Sequence, residues 1–223
     1  MVSSPQRSTW APQRLREVLR LYLVTDQPSL RARPLADVVQ AAVLGGVTCV
    51  QLREKNASSR EFHAQACMLM DLLRPHGIPL IVNDRIDIAL ACGAQGVHLG
   101  QSDLSPNAAR RLLPPEVFIG WSVETQAHVA QSQALPVDYL GVSPVFATAT
   151  KTDTARPWGL DGLRQLRSQT ALPLVAIGGI HAGNAAATLQ AGADSLAVVS
   201  AICAADDPRA ASQILRKCID EQL

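Results

Sequence analysis

Short apolar runs rich in β-branched residues alternate along the chain with longer segments rich in Ala, Leu and Arg. The pattern predicts strands at 21–26 (LYLVTD), 48–54 (TCVQLRE), 79–84 (PLIVND) and 96–100 (GVHLG). Four more are predicted at 117–123 (VFIGWSV), 138–145 (DYLGVSPV), 173–180 (PLVAIGGI) and 194–200 (DSLAVVS). None alternates cleanly between apolar and polar, which is the signature of a strand buried on both faces. The stretches between them read as helices. Ser58 and Glu61 have capping-box spacing, and Ser105–Pro106 reads as an N-cap followed by proline at the first helical position. Several helices end in an Ala/Gly turn, as in VLGGVT, ALACGAQGV and LQAGADS. Eight strands in βα alternation can form an open doubly wound sheet or a closed barrel. The count and the short spacing favour closure. The expected fold is a single (β/α)8 TIM barrel over residues 21–223, preceded by a tail or partial helix over 1–20.

Composition narrows the functional classes. The 223 residues fit one domain, and 48% of them are hydrophobic against 4% aromatic, so the core is largely aliphatic. A formal net charge of +1 points to no nucleic-acid or membrane partner, so any anion site must be local. No apolar run reaches the roughly 18 residues of a spanning helix. The N-terminal segment lacks the apolar centre of a signal peptide. Cys49, Cys67, Cys92, Cys203 and Cys218 are scattered without CxxC spacing, as expected of reduced thiols in a cytoplasmic protein. Barrel helices carry apolar faces in monomers and dimers alike, so a homodimer also fits.

In such a barrel the site is built from the C-terminal strand ends and the loops after them. Polar residues gather there: Gln51, Arg53, Glu54 and Lys55 where the second strand runs out, Asn83 and Asp84 at the third, and Asp103 beyond the fourth. Ser122 ends the fifth, and Thr148, Ala149, Thr150 and Lys151 follow the sixth. Gly178–Gly179 and Val199–Ser200 end the last two. The glycines would let an anion approach backbone N–H groups, and Ser200–Ala201–Ile202 could open a short helix adding further donors. A tight turn that needs glycine is the plain alternative. Arg53, Lys55 and Lys151 suit a diphosphate, Arg by bidentate contact and Lys as a movable charge. Asp84 and Asp103 have no evident cationic partner in sequence and together suit Mg²⁺, with phosphate oxygens and water completing the shell. Their plain alternatives are a helix cap at Asp84 and a turn at Asp103. Ser122 reads as an N-cap or as a substrate contact. The five histidines show no HExxH spacing, so zinc is not expected, and His98 reads as a satisfied barrel residue rather than a base.

QLREK (51–55), VND (82–84), GVHLGQSDL (96–104), GWS (120–122), PVFATATK (144–151), AIGGI (176–180) and AVVSAI (197–202) together resemble the thiamine-phosphate synthase family. The last two blocks recur in many phosphate-binding barrels. QLREK, the two aspartates and TxTK in one chain are the specific combination. The resemblance implies that the QLREK residues (Gln51, Leu52, Arg53, Glu54 and Lys55), with Asn83, Ser122 and Lys151, bind a hydroxymethylpyrimidine diphosphate. Asp84 and Asp103 would hold Mg²⁺. Thr148, Ala149, Thr150, Gly179, Val199 and Ser200 would hold a thiazole phosphate. Arg53, Lys55, Lys151 and Ser122 would serve the reaction itself, in which pyrophosphate leaves the pyrimidine methylene and the thiazole nitrogen attacks the resulting carbocation-like carbon. Ser143, Ala147 and the Val123–Glu124 pair depart from common family residues.

Three other readings share this fold. A thiazole tautomerase-like paralogue commonly lacks the full diphosphate and metal set and relies on a histidine after the fifth strand. A non-catalytic phosphate-binding barrel would keep the glycine loops without needing the metal carboxylates. An isomerase of amino-acid biosynthesis would need a placed acid–base pair, and none stands out.

Overall fold

The computed structural model describes residues 7–148 and 156–222. Its eight strands are β1 (Leu21–Val24), β2 (Cys49–Leu52), β3 (Leu80–Asn83), β4 (Gly96–Leu99), β5 (Phe118–Val123), β6 (Tyr139–Val142), β7 (Leu174–Ala176) and β8 (Ser195–Val198). All neighbours pair in parallel and β8 returns to β1, so the sheet closes into a barrel. The helices are α1 (Pro12–Leu19), α2 (Leu35–Leu44), α3 (Ser59–Leu73), α4 (Ile86–Cys92) and α5 (Pro106–Leu112), then α6 (Gln126–Ser132), α7 (Gly159–Arg167), α8 (Ala182–Gln190), α9 (Ser200–Cys203) and α10 (Pro208–Asp220). Each β-strand is therefore followed by a covering helix; α1 precedes the barrel and α9 is a short extra turn after β8. The expected (β/α)8 architecture is present.

Every predicted strand exists but is shorter than its apolar run. Most of the trimming falls at the C-terminal ends, where the chain leaves the ladder: Gly178 and Gly179 adopt φ of 98° and 67°, and Asp84 adopts 62°. Apolar character extends past the hydrogen-bonded segment because residues such as Ile177 and Val199 still pack on the interior cluster. The two helix-start signals also hold. Ser58 and Glu61 form a reciprocal capping box on α3, and Ser105 accepts from Ala108 N–H with Pro106 opening α5.

Two apolar layers follow from the alternation of side chains across each strand. Outward residues such as Leu21, Leu23, Leu52, Leu80, Val97, Ile119 and Leu140 pack under the helices. Inward ones, including Tyr22, Cys49, Ile81, Phe118, Tyr139, Val175 and Ala197, fill the barrel together with Leu15, Val18 and Leu19 of α1. Residues 7–20 thus hold a helix whose buried face plugs the N-terminal end of the barrel. Trp10 adds to the plug by meeting Phe118 edge-on at 5.2 Å and donating to Glu116 O at 2.8 Å.

Interior glycines make room for the few large interior rings. A Cβ on Gly96 would lie 2.3 Å from Phe118, one on Gly120 would lie 2.0 Å from Tyr139, and one on Gly141 would lie 2.8 Å from His98. These positions pair across the ladder as Gly96–Phe118 and Gly120–Tyr139, so each glycine sits beside the ring it admits. Gly120→Ala is expected to cost about 1–3 kcal/mol through overpacking. Chemical denaturation of parent and variant measures it, and equal midpoints would refute the close fit.

Candidate active site

The C-terminal strand ends surround an open cavity of about 310 Å³. On the β2–β4 side it is lined by Gln51, Arg53, Lys55, Asn83, Asp84 and Asp103. Ser122, Thr148, Gly179, Val199 and Ser200 line the other side. These eleven residues, all singled out from sequence, therefore face one space. Leu52 does not, because its position in β2 turns it outward into the fully buried helix-facing core. Glu54 is also absent from the lining; it hydrogen-bonds Gln27, and burial foremost pushes its carboxyl above the ordinary range. Ala149, Thr150 and Lys151 lie outside the described residues, and their place rests on the sequence alone.

The acidic pair is real and is not free of cations. Lys55 Nζ lies 2.6 Å from Asp84 Oδ2, a partner on another strand end that sequence distance concealed. Arg53 is likewise engaged, 2.8 Å from Asp26 Oδ1 at the end of β1. Asp26 carried no motif and was not anticipated. Asp84 does not cap α4, whose N-cap is Arg85 and has no side-chain cap bond. Its backbone instead takes a left-handed φ of 62° and donates its N–H to His98 O at 2.9 Å. Asp and Asn are among the few side chains that tolerate this region, and such positions cluster at functional sites. Asp103 does hold a turn, accepting from Gly100 N–H at 2.7 Å, and its carboxyl also reaches that of Asp84. Burial first, then the neighbouring Asp84, push the Asp103 carboxyl above the ordinary range.

That direction has a stability consequence. A carboxyl whose folded pKa exceeds its unfolded value contributes most when protonated, and the contribution is lost as pH rises through the folded pKa. Ionised Asp103 therefore strains the metal-free site at neutral pH. Asp103→Asn is expected to raise the melting temperature of metal-free protein at pH 7 and to lose that gain as pH falls toward the ordinary carboxylate range. A pH series of thermal melts reads it, and a variant less stable than the parent at pH 7 would contradict the shared-charge picture.

The last two strand ends form a cleft of backbone groups. A Cβ on Gly178 would lie 2.7 Å from Pro144, and one on Gly179 would lie 2.7 Å from Ala147 O. With positive φ at both, the loop needs glycine for its own path, whatever else it does. The β6 loop is laced to it by Val145 N–H to Ile177 O at 2.8 Å and Phe146 N–H to Gly178 O at 3.0 Å. Opposite, α9 begins at Ser200, and the first amides of a helix have no partner within it.

Beneath the cavity runs a polar chain that the sequence pattern did not disclose. Gln51 Nε2 donates to Tyr22 Oη at 2.6 Å, and Tyr22 Oη lies 3.0 Å from Tyr139 Oη. Tyr139 Oη is 2.9 Å from His98 Nδ1, and His98 Nε2 is 2.9 Å from Ser122 Oγ. Ser122 lies within β5 and caps no helix; the N-cap of α6 is Thr125. Burial drives both tyrosine pKa values upward, so both phenols stay protonated. Tyr22, Tyr139, His98 and Gln101 line the cavity floor and rim. Inward aromatic positions on predicted strands were the signal that could have found Tyr22, Tyr139 and His98, whereas Gln101 stands in the GVHLGQSDL block just after the fourth strand. Glu124, a departure from common family residues, also reaches the cavity. Among the described residues, no group of three His, Cys, Asp or Glu side chains is placed to hold a metal.

A parallel barrel with charged groups and a glycine cleft at its C-terminal rim defines the class of phosphate-handling (β/α)8 enzymes. Residues 21–202 match the family model described as thiamine monophosphate synthase. A thiamine-phosphate synthase of Albidiferax ferrireducens is 71% identical over 204 residues, covering 92% of this chain and 93% of the relative. One from Azorhizobium caulinodans is 50% identical over 202 residues, covering 91% and 95%. Among solved structures, the thiamine phosphate pyrophosphorylase of Pyrococcus furiosus superposes with a TM-score of 0.86 at 39% identity, covering 94% of this chain and 99% of that one. The chain belongs to the thiamine monophosphate synthase family, transferases of thiamine biosynthesis that act on small molecules.

Proposed function

We propose that this chain joins 4-amino-2-methyl-5-(diphosphooxymethyl)pyrimidine to hydroxyethylthiazole phosphate, giving thiamine phosphate and pyrophosphate with Mg²⁺ at Asp84 and Asp103. The observation that carries this reading is the convergence of Arg53, Lys55, Asp84 and Asp103 on one cavity rim opposite the Gly179–Ser200 cleft. Two adjacent carboxylates are hard oxygen donors of the kind Mg²⁺ takes together with phosphate oxygens. Bound there, the ion would neutralise charge on the departing diphosphate.

The residues divide the remaining work. Lys55 rests on Asp84 before substrate arrives and is free to turn toward phosphate oxygens once that carboxylate has another partner. Arg53 is held in orientation by Asp26, so its outward N–H groups meet the diphosphate without further ordering. Lys151, which the sequence puts after β6, would add a third cation. These charges act where negative charge grows as the carbon–oxygen bond breaks. Gln51, Asn83 and Ser122 seat the pyrimidine. Thr148, Gly179, Val199 and Ser200 anchor the thiazole phosphate and present its nitrogen to the cationic carbon, supplying orientation in place of a nucleophilic side chain. The free state of Cys49, Cys67, Cys92, Cys203 and Cys218 suits a reducing cytoplasm.

Purified protein incubated with both substrates and Mg²⁺, followed by chromatography, tests the reading. Thiamine phosphate and pyrophosphate in equal amounts are expected. Thiazole tautomerisation without coupling would favour the paralogue, and binding without any product would leave a binding barrel.

A further inference from the structure

The buried chain from Gln51 to Ser122 has a direction, set by the Gln51 amide presenting Nε2 to Tyr22 and carried onward by counting protons. Each phenol carries one hydrogen. Tyr22 Oη already accepts from Gln51 Nε2, and its one other hydrogen-bond partner among the described residues is Tyr139 Oη. Tyr22 therefore donates to Tyr139. Tyr139 in turn spends its hydrogen on His98 Nδ1. A neutral imidazole that accepts at Nδ1 carries its hydrogen on Nε2, so His98 donates to Ser122 Oγ. The Ser122 hydroxyl hydrogen is then free to turn into the cavity, and Gln51 keeps its amide oxygen as an acceptor.

We infer that Tyr139 is a positioning residue which, through His98 and Tyr22, sets Ser122 as a donor and Gln51 as an acceptor, so that the site prefers a 4-aminopyrimidine over its 4-oxo analogue. The preference follows from complementarity. An amine beside an unprotonated ring nitrogen donates and accepts in the pattern these two groups offer, and the oxo form reverses it. Sites built on directed hydrogen bonds reject the reversed ligand because buried groups are left unpaired. Tyr139 can hold this place because Gly120 leaves its ring room and because burial keeps its phenol protonated. The selectivity clause rests on the pyrimidine reading above; the tautomer does not.

Two measurements separate those dependencies. ¹⁵N NMR of the imidazoles in free protein, at alkaline pH where histidine is neutral, should show His98 as the Nε2–H tautomer. In Tyr139→Phe the tautomers should mix, and in Tyr22→Phe the Nε2–H form should persist, since Tyr139 still donates to His98. An Nδ1–H form in the parent, or an unchanged signal in Tyr139→Phe, overturns the relay even if the enzyme is fully active. In steady-state assays, Tyr139→Phe should raise KM for the pyrimidine diphosphate about tenfold and reduce amino-over-oxo discrimination by a similar factor, with KM for the thiazole phosphate unchanged. Equal loss toward both substrates would mark Tyr139 as merely structural and end the selectivity claim. Should Tyr139→Phe fail to fold, the parent tautomer and the Tyr22→Phe spectrum still decide the relay.

Discussion

Asp84→Asn lowers turnover by about a hundredfold or more without lowering the melting temperature. Asparagine is the informative replacement because it shares aspartate's tolerance of the left-handed φ of 62° found there. The backbone N–H bond to His98 O, which fixes this corner against β4, is untouched by the change. What disappears is one of two adjacent oxygen anions. Lys55 loses its 2.6 Å partner, but its side chain is half exposed, and ion pairs of that kind add little stability. The loss should therefore appear in catalysis and in metal response rather than in folding. Mg²⁺ titrations of activity, alongside thermal melts, measure both. Overlaid titration curves would remove Asp84 from the metal site.

The second large effect lies at the opposite end of the barrel. Asp138 is 6% exposed, and its Oδ1 accepts from both the N–H and the hydroxyl of Ser8 at 2.9 Å. Its Oδ2 accepts from Ile119 N–H at 2.7 Å. The carboxylate thus ties the segment before α1 to β5, next to the plug that closes the barrel floor. Alanine would leave the Ile119 N–H buried without that partner and release Ser8. We expect Asp138→Ala to destabilise the protein by about 2–4 kcal/mol, judged from the cost of unpaired buried donors. For a domain of this size that lowers the melting temperature by roughly ten degrees. Its distance from the rim predicts little change in KM for either substrate once the protein is folded. A melting temperature within a degree of the parent would show that the N-terminal segment is held by the apolar contacts of Trp10 and α1 alone.

The sequence disclosed the barrel because strands buried on both faces leave uninterrupted apolar runs, and all eight could be read from them. It overstated their lengths for a physical reason. Residues such as Ile177 remain apolar after the ladder ends because they still line the interior. Rim residues were legible where a charged or amide group broke an apolar run, as at Gln51, Asn83 and Asp84. Pairings between strand ends were not legible, since Lys55 and Asp84 are 29 residues apart, as are Gln51 and Tyr22. Nor was the interior relay, because tyrosine and histidine on an inward strand position look like ordinary core in one dimension. Only closure of the barrel brings β1, β2, β4, β5 and β6 around one axis, and only then do their hydroxyls and ring nitrogens meet.

Calorimetric titration of pyrophosphate into the protein, with and without Mg²⁺, tests most directly whether the rim is a magnesium–diphosphate site. Binding that tightens at least tenfold with the ion in the parent, and loses that gain in Asp84→Asn, is the predicted result. Pyrophosphate affinity indifferent to Mg²⁺, or equally strong in both proteins, would contradict it.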